Sequence, residues 1–212
     1  LTEVLLAVGT LAIGMIFVAG VFPVGIHFST IAAEQTIAAV AADEAFAKVR
    51  LYGLVDFSLS PPWPVDPTTA CVDFNDVSLV TVNPGEFAYP STYRDITEKH
   101  YFWSALCRRV GLSDVQVTVF VSRKIGSGTM YHGGTGDRPV PIPVNVSQPD
   151  TRRSDELLIN NYVERIFFND GYTIVDIETG QINRVVKRYA QDDTTTPENE
   201  EQMILLDRFW QG

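Results

Sequence analysis

Val4–Ile26 reads VLLAVGTLAIGMIFVAGVFPVGI, with no ionisable side chain and Thr10 as its only polar one. Roughly 20 apolar residues in a helix span the hydrocarbon core of a bilayer, so this run is long enough to do so. A secretory h-region is shorter and follows a basic stretch. A helix buried in a soluble core normally keeps a polar face over such a length. The segment is therefore read as a membrane helix.

The helical pattern does not stop at the end of the apolar run. It continues through STIAAEQTIAAVAADEAFAKVRLY to Gly53. Ile37, Val40, Ala41, Ala45, Val49 and Tyr52 recur at three- and four-residue steps and predict one apolar stripe, with Glu34, Asp43, Lys48 and Arg50 mostly off it. Gly53 suits the position just past a helix end. Eight alanines between Ala32 and Ala47 keep this half slender and permit close helix–helix approach. About fifty helical residues at ~1.5 Å each predict a rod on the order of 75 Å, longer than an anchor needs.

Two features interrupt the uniformity of the rod. Glu3 sits at the lip of the apolar run, where one reading is an interfacial acid favoured by the helix N-terminus. The other is a carboxylate that pairs with a cation on a neighbouring subunit, because a buried acid needs a partner. Gly9, Gly14, Gly20, Gly25 and Pro23 lower helix propensity or remove a hydrogen bond. They predict a weakened or bent stretch between Gly14 and Pro23 in an assembled state. Phe17, Phe22, Phe28, Ile37, Val40 and Phe46 are the candidate helix-packing side chains.

The opening LTEVLLAVGTLAIGMIFVAGVFPVGI resembles the N-terminal methylation segment of type IV pilins and type II secretion pseudopilins. Glu3 matches the family's glutamate and Pro23 its helix-breaking proline. The family's glutamate usually sits two residues deeper, after a leading aromatic; either two mature residues precede Leu1 or processing differs. The missing basic leader is expected of a mature form. The resemblance covers residues 1–53. It implies that Glu3, Gly14, Gly20 and Pro23 act in assembly, with Glu3 contacting the N-terminal amine of an adjacent subunit. It also implies a homo-oligomeric helical filament at the cell surface, an inner-membrane pool before assembly, and a prepilin peptidase, an assembly ATPase and a platform protein as partners.

The remainder, 54–212, reads as an extracytoplasmic β-rich head. Ser60–Pro67, SPPWPVDP, is an extended connection. A strand is expected at Val77–Val82 and a helix from Thr97, its cap, to Val110, with Tyr101, Phe102, Leu106 and Val110 buried and Gly111 as its stop. VQVTVFV from Val115 alternates at period two, PVPIPVNV is an edge strand, and YVERIFF follows as a strand. YTIVDI, the turn Glu178–Gln181, INRVVKRY and MILLDRFW form an antiparallel meander. The expected class is α+β: a long N-terminal helix packed on a mostly antiparallel β head with one further helix.

Candidate chemistry in the head is sparse. Cys71 and Cys107 would close a loop of about 36 residues as a disulfide, worth ~3–4 kcal/mol; two buried free thiols are the alternative. Gly126–Asp137, GSGTMYHGGTGD, lacks the G-K-[ST] of a phosphate loop and reads as a hairpin loop. Asp192, Asp193, Glu198 and Glu200 are the candidates for calcium, but without EF-hand spacing they read as a solvated loop, and no cofactor is expected. Asn145 opens a glycosylation sequon and Thr194–Thr196 could carry O-glycans. Net charge is −10, so general nucleic-acid binding has no electrostatic support. No nucleophile triad, paired carboxylates or metal cluster emerges, and no enzyme is expected. Three readings of function remain: a filament subunit; a secretion pseudopilin or minor tip pilin; and, from another class, a monomeric membrane-anchored binding module.

Overall fold

The computed structural model describes residues 1–56, 63, 71–91, 99–111, 114–124, 139–148, 154–189 and 203–210. The first element, α1, is a single helix from Thr2 to Tyr52. It ends where expected: Gly53 takes φ 68° and its N–H bonds the Val49 carbonyl at 3.1 Å. Fifty-one residues make a rod of about 75 Å.

The head begins with β1 (Val72–Asp73), followed by the one-turn helix α2 (Phe74–Val77) and β2 (Ala88–Tyr89). The long strands β3 (Tyr101–Arg109) and β4 (Val115–Arg123) come next and pair antiparallel along their whole length. The other edge of β3 is shared by β1 at Leu106 and Cys107 and by β2 at Tyr101 and Phe102. Register puts Trp103, Ala105 and Cys107 opposite Val121, Val119 and Val117, so these six side chains share one face. Ala45 and Val49 of α1 join that face in a core completed by Trp63, Phe74, Val77 and Phe87.

A second sheet contains β5 (Val146–Ser147), β6 (Glu156–Ile159), β9 (Met203–Leu206), β8 (Ile182–Tyr189) and β7 (Thr173–Val175), in that spatial order and all antiparallel. Its core holds Leu157, Ile159, Phe168, Val185, Ile204 and Leu206. The turn between β7 and β8 ties the two sheets together. Arg108 Nη1 donates to the Thr179 carbonyl at 2.8 Å, Gln116 Nε2 to the Gly180 carbonyl at 3.3 Å, and the Cys71 N–H to the Ile177 carbonyl at 3.0 Å. Gly180 has φ +70°, and a Cβ there would meet Gln116 Oε1 at 2.6 Å. Gly180→Ala is expected to cost about 1–2 kcal/mol from backbone conformation alone, read as a lowered urea midpoint with unchanged slope.

The α+β class holds, with antiparallel sheets and, among the described residues, one further α-helix, but that helix is α2. The helix expected over Thr97–Val110 is β3 from Tyr101 to Arg109, while Thr97 lies outside the described residues. Aromatic residues favour strands, and the valine-rich alternation of β4 provides a partner for every residue of β3. Val77–Val82 is not a strand. Asp73 caps α2 by accepting from the Asn75 N–H at 2.8 Å, and Ser78 makes one isolated bridge to Leu54. YVERIFF is a 3₁₀ turn, Tyr162–Phe167, because Asn161 accepts from the Val163 N–H at 3.1 Å and starts it. Of PVPIPVNV only Val146, with Ser147 after it, pairs at the sheet edge, and Pro139, Pro141 and Pro143 stay outside the ladder. The meander of β7, β8 and β9 is present as expected. Ser60–Pro67 apart from Trp63, all of Gly126–Asp137, and the acidic stretch with Asp192, Asp193, Glu198 and Glu200 lie outside the described residues.

Candidate assembly surface

Along α1 the chain divides by exposure. Every residue from Leu1 to Thr30 is exposed, including Phe17 at 70% and Phe22 at 67%. This is one helix long and apolar enough to cross a membrane, and none of its apolar window is buried by the rest of the chain. Thr10 and Thr30 close their hydroxyls onto the carbonyls of Ala7 and Ile26, so neither needs a donor or acceptor from outside. Glu3 lies in the exposed first turn.

The helix passes through Pro23 without a break. The weakened stretch expected between Gly14 and Pro23 is therefore helical in the single chain. Proline has no N–H to give the carbonyl four residues back, which marks this turn as the cheapest to open. A Cβ at Gly9, Gly14, Gly20 or Gly25 would meet nothing within 4 Å. Nothing among the described residues requires glycine at these four positions.

Beyond Thr30 the head covers one side of the helix. Ala41, Ala45, Lys48 and Val49 are buried, and Ile37 and Tyr52 are half-buried beside them. Val40 departs from the expected stripe: it is 48% exposed, on the side turned away from the head, as is Phe46 at 39%. Phe28 is exposed as well. Lys48 departs in the other sense. Its ammonium sits 3.0 Å from Glu44 Oε1 and 3.0 Å from Glu86 Oε2, donates to the Glu86 carbonyl, and lies 6.0 Å from the Trp103 ring centroid. Trp103 Nε1 donates to the same carbonyl at 2.9 Å. This knot fixes the rotation of α1 on the sheet. A second tie, Glu34 with Arg123, lies in solvent and contributes under about 1 kcal/mol. The Glu44/Lys48 spacing of four was legible in the sequence; Glu86 and Trp103 were not, because they arrive from distant elements.

The cysteines do not form a bridge. Both are free thiols, and β3 registers Cys107 with Val72 rather than with Cys71. Side chains alternate along a strand, so Cys71 and Cys107 point to opposite faces of the sheet. Burial, followed by the charge of Asp73 and by Cys71, pushes the Cys107 thiol up to about 12. Burial also raises Cys71, with Arg108 opposing it. Thiolate is the reactive form, so Cys107 is expected to resist iodoacetamide at pH 8 until urea unfolds the head. Rapid native labelling at Cys107 would contradict this placement.

Asn145 is exposed at the start of β5, with its N–H on Glu164 Oε2 at 3.1 Å. Among the described residues no three His, Cys, Asp or Glu side chains gather as a metal site would require. No protein-family model, no curated protein and no solved structure matches the chain.

Proposed function

We propose that this protein is the structural subunit of a helical, pilus-like filament on the cell surface, held in a membrane before assembly and polymerising through α1. The observation that carries the proposal is the division of one continuous helix. Its first thirty residues are exposed on every side, and its last turns are locked to the head by Lys48 and the Trp103 core. An anchor needs about 20 apolar residues and no rigid extension. A rigid extension is useful where the helix must carry the head at a fixed rotation while trading lipid contacts for helix contacts.

Small residues permit that exchange by close backbone approach. The four unforced glycines and the Ala-rich second half supply them. Assembly would then bury the apolar face and leave the acidic heads outside, where like charge keeps separate filaments from associating.

The test is to shear surface filaments from cells expressing the chain, identify their subunit and image them. Filaments built from this chain support the proposal. Filaments that lack it, together with a purified protein that stays monomeric, would favour the membrane-anchored binding module instead. A subunit found only at tips or within a secretion complex would support the pseudopilin or minor-pilin reading.

A further inference from the structure

The half of α1 that meets the head has an opposite face, and that face carries a charge pattern the single chain does not use. With 3.6 residues per turn, Ala32, Thr36, Ala39, Val40, Phe46 and Ala47 fall on the side turned away from Ala41, Ala45 and Lys48; all six are exposed, and Thr36 closes its hydroxyl onto the Ala32 carbonyl at 2.8 Å. The ionisable side chains on this side are Asp43 and Arg50, also exposed. They are seven residues apart, so they lie nearly in line, two turns and about 10.5 Å from each other along the axis. Among the described residues neither has an ion-pair partner. A face that is apolar apart from the self-satisfied Thr36 thus carries one positive and one negative charge, aligned and too far apart to pair within one helix.

We infer that a second copy of this chain docks in parallel against this face, displaced along the helix by two turns, so that Arg50 of one copy pairs with Asp43 of the next. The inference rests on the filament reading. Three considerations select this arrangement. The apolar halves of both copies must share one bilayer or one rod bundle, which makes the helices parallel. Copies at equal height would set Asp43 against Asp43 and Arg50 against Arg50, and like charges in contact are costly. A two-turn offset brings opposite charges level and leaves the bundled face neutral.

The head determines where the pair forms. It covers the Ala41–Ala45–Lys48 side, so bundled rods must keep their heads outermost and their opposite faces inward. Asp43 and Arg50 of adjacent copies then converge toward the bundle interior. Alanines there allow interaxial distances near the short end of about 8–10 Å. A charge buried in such a bundle needs a partner, and guanidinium offers the carboxylate a two-pronged fit. The pair therefore acts as a register device: it selects one axial step out of many that the smooth alanine face would accept.

Charge exchange tests this directly. Asp43→Arg and Arg50→Asp should each reduce the yield of sheared filaments by roughly tenfold, while the chain carrying both changes recovers most of it. Membrane insertion and thermal melting of the head should be unchanged in all three. A second measurement keeps the charge pair and uses Cys71→Ser chains carrying both Ala32→Cys and Ala39→Cys, seven residues apart on the same exposed face, oxidised in place. A ladder of covalent oligomers is expected, and neither single cysteine should give dimers. Single variants that assemble normally, a double variant no better than either single, closed dimers, or like-to-like dimers would each overturn the offset. If those results come from filaments that contain the chain, the filament reading survives; if wild-type filaments lack the chain, that reading fails first.

Discussion

Lys48→Met is expected to destabilise the head by about 2–3 kcal/mol. Lys48 is 8% exposed and holds two carboxylates and one backbone carbonyl at once. Removing one partner of a buried pair costs about 3–5 kcal/mol because the other charge stays behind. Glu44 and Glu86 keep 26% and 37% side-chain exposure, so water recovers part of that cost. Methionine retains most of the volume over Trp103, which isolates charge from packing. The measurement is urea unfolding of the full chain in detergent, followed by head fluorescence. A loss under about 0.5 kcal/mol, the range of ordinary surface changes, would mean that the knot does not fix the helix.

The same knot sets a pH dependence. Burial pushes the Glu44 carboxyl up, but hydrogen bonds from Ser91 and Lys48 and the Lys48 charge together outweigh it and hold Glu44 below its ordinary value. A carboxyl whose pKa is lower folded than unfolded contributes stability that is complete above its unfolded value. That contribution is lost as pH falls through the lowered folded value. Acidification below about pH 4.5 should therefore destabilise the native chain more steeply than the Lys48→Met variant.

The rod was legible because its signals are local. Apolar length, a 3.6-residue period and Gly53 at its end need no knowledge of distant residues. The strands β4, β7 and β8 were legible for a similar reason, since alternation and a turn with Gly180 are written into the segment itself. What failed was decided by partners. Tyr101–Arg109 carries residues that fit either a helix face or a strand, and only the nine-residue pairing with β4 decides between them. Apolar spacing puts Val40 on the buried stripe because it cannot tell which side of an alanine-rich helix the head will cover. Lys48 reads as off the stripe for the opposite reason: a lysine normally marks solvent, and its burial is tolerated only once Glu86 and Trp103 arrive. The cysteines illustrate the limit most sharply. Their number suggested a bridge, while a one-residue difference in register puts them on opposite faces.

Glu3→Val should leave membrane insertion intact and abolish or severely reduce filament growth. In the single chain Glu3 is exposed in the first turn of α1, where the helix N-terminus favours an anion. That interaction is worth about 0.3–1 kcal/mol and exists in every copy whether assembled or not, so losing it does not oppose polymerisation. Insertion loses nothing either, since valine is cheaper than a carboxylate in lipid. Assembly differs. If the carboxylate meets the terminal amine of an adjacent copy, each new subunit gains a charged hydrogen bond of about 1.5–3 kcal/mol, tenfold or more in its equilibrium constant. Glu3→Gln keeps the size and hydrogen-bonding capacity but not the charge, and should fall between native chain and valine variant. The readout is sheared filament yield normalised to the membrane pool of each variant. Equal yields for all three chains would return Glu3 to an interfacial role, and recruitment would then rest on the apolar surface and the Asp43–Arg50 register alone.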